Sequence, residues 1–141
     1  MAPQTAERLN PRPDIHDAQL RQRMSPGALR TWFAIATQWG LTDIQAARLL
    51  GTPTSTYRRW KRKPDVTLDV GQIERLSLLL GIYKSLEMLL PRADAADAWI
   101  KRANANPLFG GARPLDRMLA GHTEDLAVVR RHLDAERGGW A

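Results

Sequence analysis

The sequence predicts an all-α fold. Apolar residues recur at three- and four-residue spacing in segment after segment, the segments are punctuated by helix-capping residues, and nowhere does a run alternate apolar and polar as a half-buried strand would. With 141 residues the chain can bury a real core as one domain or as two small ones. Three regions are expected: residues 1–24 as an arm with a short helix, 25–90 as a helical bundle, and 91–141 as a smaller helical unit.

Residues 1–15 contain Pro3, Pro11 and Pro13 with little apolar patterning, and they read as an extended arm. His16 to Arg23 offers one or two helical turns. Ser25 followed by Pro26 then looks like an N-cap with proline at the first helical position, opening a helix to Trp39. Its stripe is Leu29, Trp32, Phe33, Ala36 and Trp39, and Gly40 closes it. Aromatic residues on such a stripe are expected in the core.

From Thr42 to Lys63 two short helix patterns flank a glycine. Thr42 is a natural N-cap with Asp43 in the first turn, Ile44, Ala47 and Leu50 form the predicted inner stripe, and Gly51 can take the left-handed turn. Thr52 and Pro53 are then expected to cap and open the next helix. In that helix Tyr57 and Trp60 face inward, while Thr54, Ser55, Arg58, Arg59, Lys61 and Arg62 face out, with Lys63 extending the patch. Two short helices about a tight glycine turn make a helix-turn-helix pattern, and a hydroxylic, cationic second helix suits the major groove of DNA. A solvated basic helix is the plainer alternative.

Pro64 stops this helix, and Thr67 or Asp69 caps a longer one over Val70 to Leu90. Ile73, Leu76, Leu80, Tyr83, Leu86 and Leu90 form one stripe, and Leu78, Leu79, Ile82, Met88 and Leu89 a second. That excess calls for two partner surfaces, one inside the chain and one in a homodimer, with Leu79 and Leu86 as interface residues. Gly81 inside the helix marks either a close crossing or a break.

Beyond Pro91, residues 92–103 form an amphipathic helix carrying Ala95, Ala98, Trp99 and Arg102. The run Asn106-Pro107-Leu108-Phe109-Gly110-Gly111 is a turn whose Leu108 and Phe109 act as an apolar plug, and it lacks the Lys-Ser/Thr of a phosphate loop. Pro114 opens a short helix with Leu115, Met118 and Leu119, closed by Gly121. Thr123 starts the last helix, with Leu126, Val129 and Leu133 inward, Val128 and His132 adjoining, and Gly138-Gly139 ending it.

Charge sharpens this division. The net charge is +6, and residues 1–90 hold 13 Lys/Arg against 8 Asp/Glu while 91–141 hold 8 against 7, so the excess sits with the basic helix. There is no cysteine, which removes disulfides and thiolate zinc sites, and His16, His122 and His132 show no ligand spacing, so neither a metal nor a cofactor is expected. No apolar run approaches a membrane span and no signal-peptide pattern opens the chain, so no membrane association and a cytoplasmic location are expected.

In the second half Trp99, Asn106-Pro107, Gly110-Gly111, Pro114-Leu115, Leu119 and Gly121 stand in the order and spacing of a known toxin-binding domain. With the helix-turn-helix pattern, the chain over 25–140 resembles the Xre/MbcA/ParS antitoxins of type II toxin–antitoxin modules that pair with Res-type toxins. The resemblance implies a DNA-binding and dimerising region over 25–90 and a toxin-binding region over 91–141. It further implies a homodimer that binds operator DNA to repress its own operon, and that blocks the active site of a toxin acting on NAD. The implied toxin contacts are Trp99, Asn106, Gly110 and Gly111, joined at the chain end by Arg137 and Trp140. Trp140 either enters the toxin as a plug or folds back on Val129 and Leu133.

Two other readings stand beside it. An enzyme would need a nucleophile, base or metal held by partners, and no such constellation is visible, so no catalytic residue is expected. A ligand-responsive helix-turn-helix repressor, with 91–141 binding a small molecule, differs in its genetic setting: it would have no toxin gene beside it.

Overall fold

The computed structural model describes residues 14–138, and among these every regular element is helical. Helix α1 spans Ala18–Gln38, α2 Asp43–Leu50, α3 Thr54–Arg62 and α4 Val70–Leu89. The C-terminal part adds α5 (Ala93–Ala98), which tightens into a 3₁₀ turn over Trp99–Lys101, then α6 (Pro114–Met118) and α7 (Thr123–Gly138).

Helix α1 corrects the predicted start at Ser25. It begins eight residues earlier, capped by Asp17, whose carboxylate accepts from the amides of Gln19 and Leu20, and Pro26 lies inside it. Proline there removes a helix hydrogen bond, and tertiary structure offsets the loss. Ser25 is fully buried; its hydroxyl donates to Arg21 O and accepts from Leu68 N at 2.9 Å. Arg21 in turn donates to Leu68 O at 3.1 Å and to Ile15 O at 2.8 Å. Ser25 therefore tethers the strap before α4 rather than capping a helix.

Helix α4 is the hub, packing on α1, α2, α5 and most extensively α7. Asp69 and Gln72 close a reciprocal capping box at its start. Its deepest positions are Ile73, Leu76, Leu79, Ile82 and Leu86, whereas Leu80 and Tyr83 are only partly covered. Leu79 and Leu86 thus belong to the chain's own core, which corrects their expected place in an interface between copies. Both covered faces of α4 find their partners within the chain, one on α1 and α2 and the other on α7, while Met88 of the expected second stripe is exposed. Leu126, Val129 and Leu133 of α7 join Leu29, Trp32, Leu50 and Ile82 in one continuous core.

Gly81 is the crossing point. Helix α4 runs through it unbroken, and a side chain there would fall on the guanidinium of Arg130 from α7. Arg130 also reaches Ser77 O at 3.4 Å and Asp134 at 3.2 Å. No helix among the described residues is long and apolar enough to cross a membrane.

Candidate functional site

The helix-turn-helix is built by caps. Thr42 and Gln45 form a capping box at the start of α2, and Gly51, at φ +72°, turns the chain back toward α3. Ala46, Ala47, Leu49 and Leu50 are buried, but Ile44 is 63% exposed. At roughly 100° per residue it lies well away from the centre of that buried group, so Ile44 drops out of the expected stripe while Ala47 and Leu50 keep their places in it. Thr52 is not a cap either: Pro53 occupies that position without a side-chain bond, so the first amides of α3 face outward.

Tyr57 and Trp60 are buried as expected, and the Tyr57 ring stands edge-on to Phe33 at 5.5 Å. Burial, then the nearby Asp43 charge, pushes the Tyr57 phenol far above its ordinary value. Ser55, Arg58, Arg59 and Arg62 are exposed on the outward side of α3, with Thr54 partly covered and Lys61 on the flank beside α2. There Asp43 receives Lys61 at 2.9 Å and Arg58 at 3.3 Å. The Lys61 hydrogen bond, against some desolvation and helped by Arg58, holds the Asp43 carboxyl below the usual range. All six predicted residues therefore lie on one helix, two of them sharing an anion. Arg59, Arg62 and Lys63 take part in no ion pair among the described residues.

A second site lies across α4. The expected helix over 92–103 is shorter: α5 tightens at Trp99 and ends before Arg102. The loop that follows is closed by its own backbone. Asn104 N donates to Ala112 O and Gly111 N to Asn104 O, while the Asn106 side chain accepts from Leu108 N and the Asn104 side chain from Asn106 N. Gly110 and Gly111, at φ +57° and +85°, occupy left-handed positions that most side chains avoid. This closure buries Phe109, the predicted plug, edge-on to Trp99 at 5.9 Å.

Trp99 stacks on His132 of α7 with ring centroids 6.4 Å apart and planes inclined by 19°. Together they form the wall of a groove of about 400 Å³, lined also by Leu86, Leu89, Leu90, Asn104, Asn106, Leu133 and Glu136. Trp99 and Asn106 thus come together as the sequence implied, while Gly110 and Gly111 shape the loop rather than line the groove. His132, Asn104 and the end of α4 were not singled out by the sequence. The signal for His132 was its place beside the inner stripe of α7, one residue before Leu133.

Arg137 is engaged in the α4–α7 seam: it donates to Ser85 at 3.0 Å and lies 3.6 Å from Asp134. It therefore lies in that seam and does not line the Trp99–His132 groove. Helix α7 also includes Gly138, and Trp140 lies outside the described residues. Among the described residues no group of three His, Cys or carboxylate side chains gathers to hold a metal.

Residues 18–81 match the antitoxin Xre-like helix-turn-helix domain, and residues 85–139 match the antitoxin Xre/MbcA/ParS C-terminal toxin-binding domain. The chain is also similar to the uncharacterized protein y4oB of Sinorhizobium fredii (strain NBRC 101917 / NGR234), 44% identical over 115 residues that cover 81% of this chain and 87% of that protein. The basic helix of the first half and the aromatic groove of the second fall one in each matched domain, and the chain belongs to the Xre/MbcA/ParS family of antitoxins.

Proposed function

We propose that this chain is the antitoxin of a type II module whose partner is a Res-type toxin acting on NAD, and that it acts in the cytoplasm as a homodimer that binds its own operator. The observation that carries the toxin half is the Trp99–His132 groove, an aromatic wall beside polar Asn104 and Asn106 on the matched toxin-binding domain. Aromatic anchors flanked by directional polar groups are what a protein partner's protruding side chain requires. By covering the toxin's active-site entrance the domain would keep NAD out, with Trp99, Asn106, the Gly110-Gly111 loop, Arg137 and Trp140 on or near the contact. This role asks for no catalysis and no cofactor.

The operator half rests on α3. Its uncapped first amides and Ser55 suit phosphate, and Arg58, Arg59, Lys61 and Arg62 supply charge for groove edges and backbone. The homodimer is supported by apolar surface left over after α7 has docked. A hollow of about 350 Å³ lies between α1 and α4, lined by Ile15, Met24, Ala28, Ile73, Leu76, Ser77 and Leu80. A neighbouring hollow continues it to Leu78. A two-fold pair would present two copies of α3 to half-sites about one DNA turn, ~34 Å, apart.

The test is co-expression with the product of the adjacent gene. Co-purification, together with loss of that product's NAD consumption, is the expected result. An adjacent product that neither binds nor consumes NAD would sink the toxin reading and leave a repressor.

A further inference from the structure

Polar contacts join the two halves around the core, and one group of them sits beside the turn before α3. The turn after α6 leaves the carbonyls of Leu119, Ala120 and Gly121 without helical partners, and arginines from the N-terminal half take them. Arg48, at the last turn of α2, donates through Nε to Leu119 O and through Nη2 to Ala120 O at 3.5 Å. Arg75 of α4 donates through Nη2 to Gly121 O at 2.8 Å.

Arg75 reaches that carbonyl by passing under Gly51. A Cβ on Gly51 would lie 2.8 Å from Arg75 Nε, and a Cβ on Gly121 would lie 3.2 Å from Arg48 Nη2. Among the described residues the Arg75 Nη1 is buried with no hydrogen-bond partner. Such a donor is costly to keep, so a side chain placed here for stability alone would be poorly chosen. The glycine turn that aims α3 is therefore in contact with a side chain whose other end is held by the C-terminal half. On the far side, α6 runs back to the groove loop: Arg117 donates to Asp125 at 2.8 Å and to Leu108 O at 3.5 Å.

We propose that Arg48 and Arg75 are positioning residues that latch the Leu119–Gly121 turn to the turn before α3, so that a protein seated in the Trp99–His132 groove and DNA on α3 are energetically coupled. The latch rests on contacts in this chain, and its coupling to a partner rests on the function proposed above. Anything that shifts α6 moves three carbonyls, and the carbonyls hold Arg48, on the last turn of α2, and Arg75, which lies against Gly51. Coupling between sites is reciprocal, so DNA must then alter partner affinity by the same factor.

The test uses the full chain and its Arg75→Met, Arg48→Met and Gly121→Ala variants. Methionine keeps the apolar stem at 75 and removes the unpaired donor, so the melting temperature should change little. Hydrogen exchange at the amides of Gly51, Thr52 and Tyr57 should rise by about tenfold in Arg75→Met. Affinity for a duplex taken from immediately upstream of the gene should fall about fivefold or more in each variant.

The dependence of that affinity on salt should stay as in wild type, because a latch is lost and not a phosphate contact. A salt slope reduced by about one for Arg48→Met would instead make Arg48 a phosphate ligand and overturn its latch role. Arg48→Met should lessen the effect of Gly121→Ala, since both disturb the Arg48 contact, and what Gly121→Ala still costs in the Arg48→Met background is the strain of a side chain at φ +105°. Unchanged exchange at Gly51, Thr52 and Tyr57 in all three variants overturns the latch, whether or not the duplex binds. Adding the adjacent gene product should change exchange at those amides in wild type and not in Arg75→Met. Binding of that product with no such change overturns the coupling and leaves the toxin reading standing.

Discussion

Asp43 illustrates how one carboxylate sets the character of the basic face. It holds Arg58 and Lys61 beside α2, leaving Arg59 and Arg62 as the cations available at no electrostatic cost. If α3 reads DNA, Arg62→Ala should reduce the salt slope of binding by about one, whereas Asp43→Asn should strengthen binding by releasing two cations and removing a negative charge. Anisotropy titrations over a salt series check both, and weaker binding by Asp43→Asn would show that the ion pair positions Arg58 for its contact. Asp125 behaves differently. Burial by itself would raise its pKa, but the Arg117 hydrogen bond and the His122 amide bring the net shift below the ordinary carboxylate range. A depressed folded-state pKa stabilises the fold above the unfolded value and loses that stabilisation as pH falls through the folded value. Asp125→Asn should therefore cost about 1–2 kcal/mol at neutral pH. The gap should close toward pH 3, below the unfolded carboxylate value of about 3.9, and paired denaturation curves at the two pH values check it.

The helices differ in how openly their residues declare them. The cap at Thr42, the turn at Gly51 and the inward pair Tyr57 and Trp60 were legible because local chemistry and tertiary packing agree there, while the choice between Thr67 and Asp69 falls to Asp69, whose box with Gln72 the structure supplies. Ser25-Pro26 misled because the same pair serves as a helix start in isolation and as a buried tether here, and only Leu68, 43 residues away, decides between them. Ile44 misled because eight residues are too few to fix the phase of a stripe. The groove was half legible: Trp99 and Asn106 stand in a recognisable order and spacing, but His132 meets them only through the docking of α7. That docking also gives Gly81 its reason. Alanine normally stabilises a helix interior by about 1 kcal/mol over glycine. Here Gly81→Ala must expel Arg130 from Ser77 and Asp134, so the gain should vanish in wild type and return in an Arg130→Ala background, as thermal denaturation of the four chains would show. On the α1 side of α4, Leu80→Glu should lower dimer mass in sedimentation and weaken DNA binding without unfolding the chain. A native chain that sediments as a monomer at micromolar concentration would remove the dimer.

At the scale of the whole molecule, two matched domains share one core. The toxin-binding match begins at residue 85, inside the last turns of helix α4, yet Leu79 and Ile82, which precede it, share a core with residues of that second half. A chain cut after Leu90 would lose Leu126, Val129 and Leu133, each fully or almost fully buried, and would bare the α7-facing side of α4. Losing a buried leucine or valine side chain costs about 1–5 kcal/mol, and three such losses rival the 5–15 kcal/mol that holds a typical domain together. The fragment 1–90 should therefore fail to unfold cooperatively as a monomer, or should associate through the bared face, even though it contains the entire helix-turn-helix. Full-length protein should instead unfold in one transition, with tryptophan fluorescence and far-ultraviolet circular dichroism coincident, because Trp32, Trp39 and Trp60 report the first half and Trp99 the second. Two separated transitions, or a fragment that folds as a monomer and binds DNA with wild-type affinity, would establish that the halves are independent modules. The second result would also deprive the Arg48 and Arg75 contacts of any effect on α3. One transition, by contrast, means that a partner gripping the Trp99 groove stabilises the DNA-reading half by mass action alone, before any shift in α6 is considered.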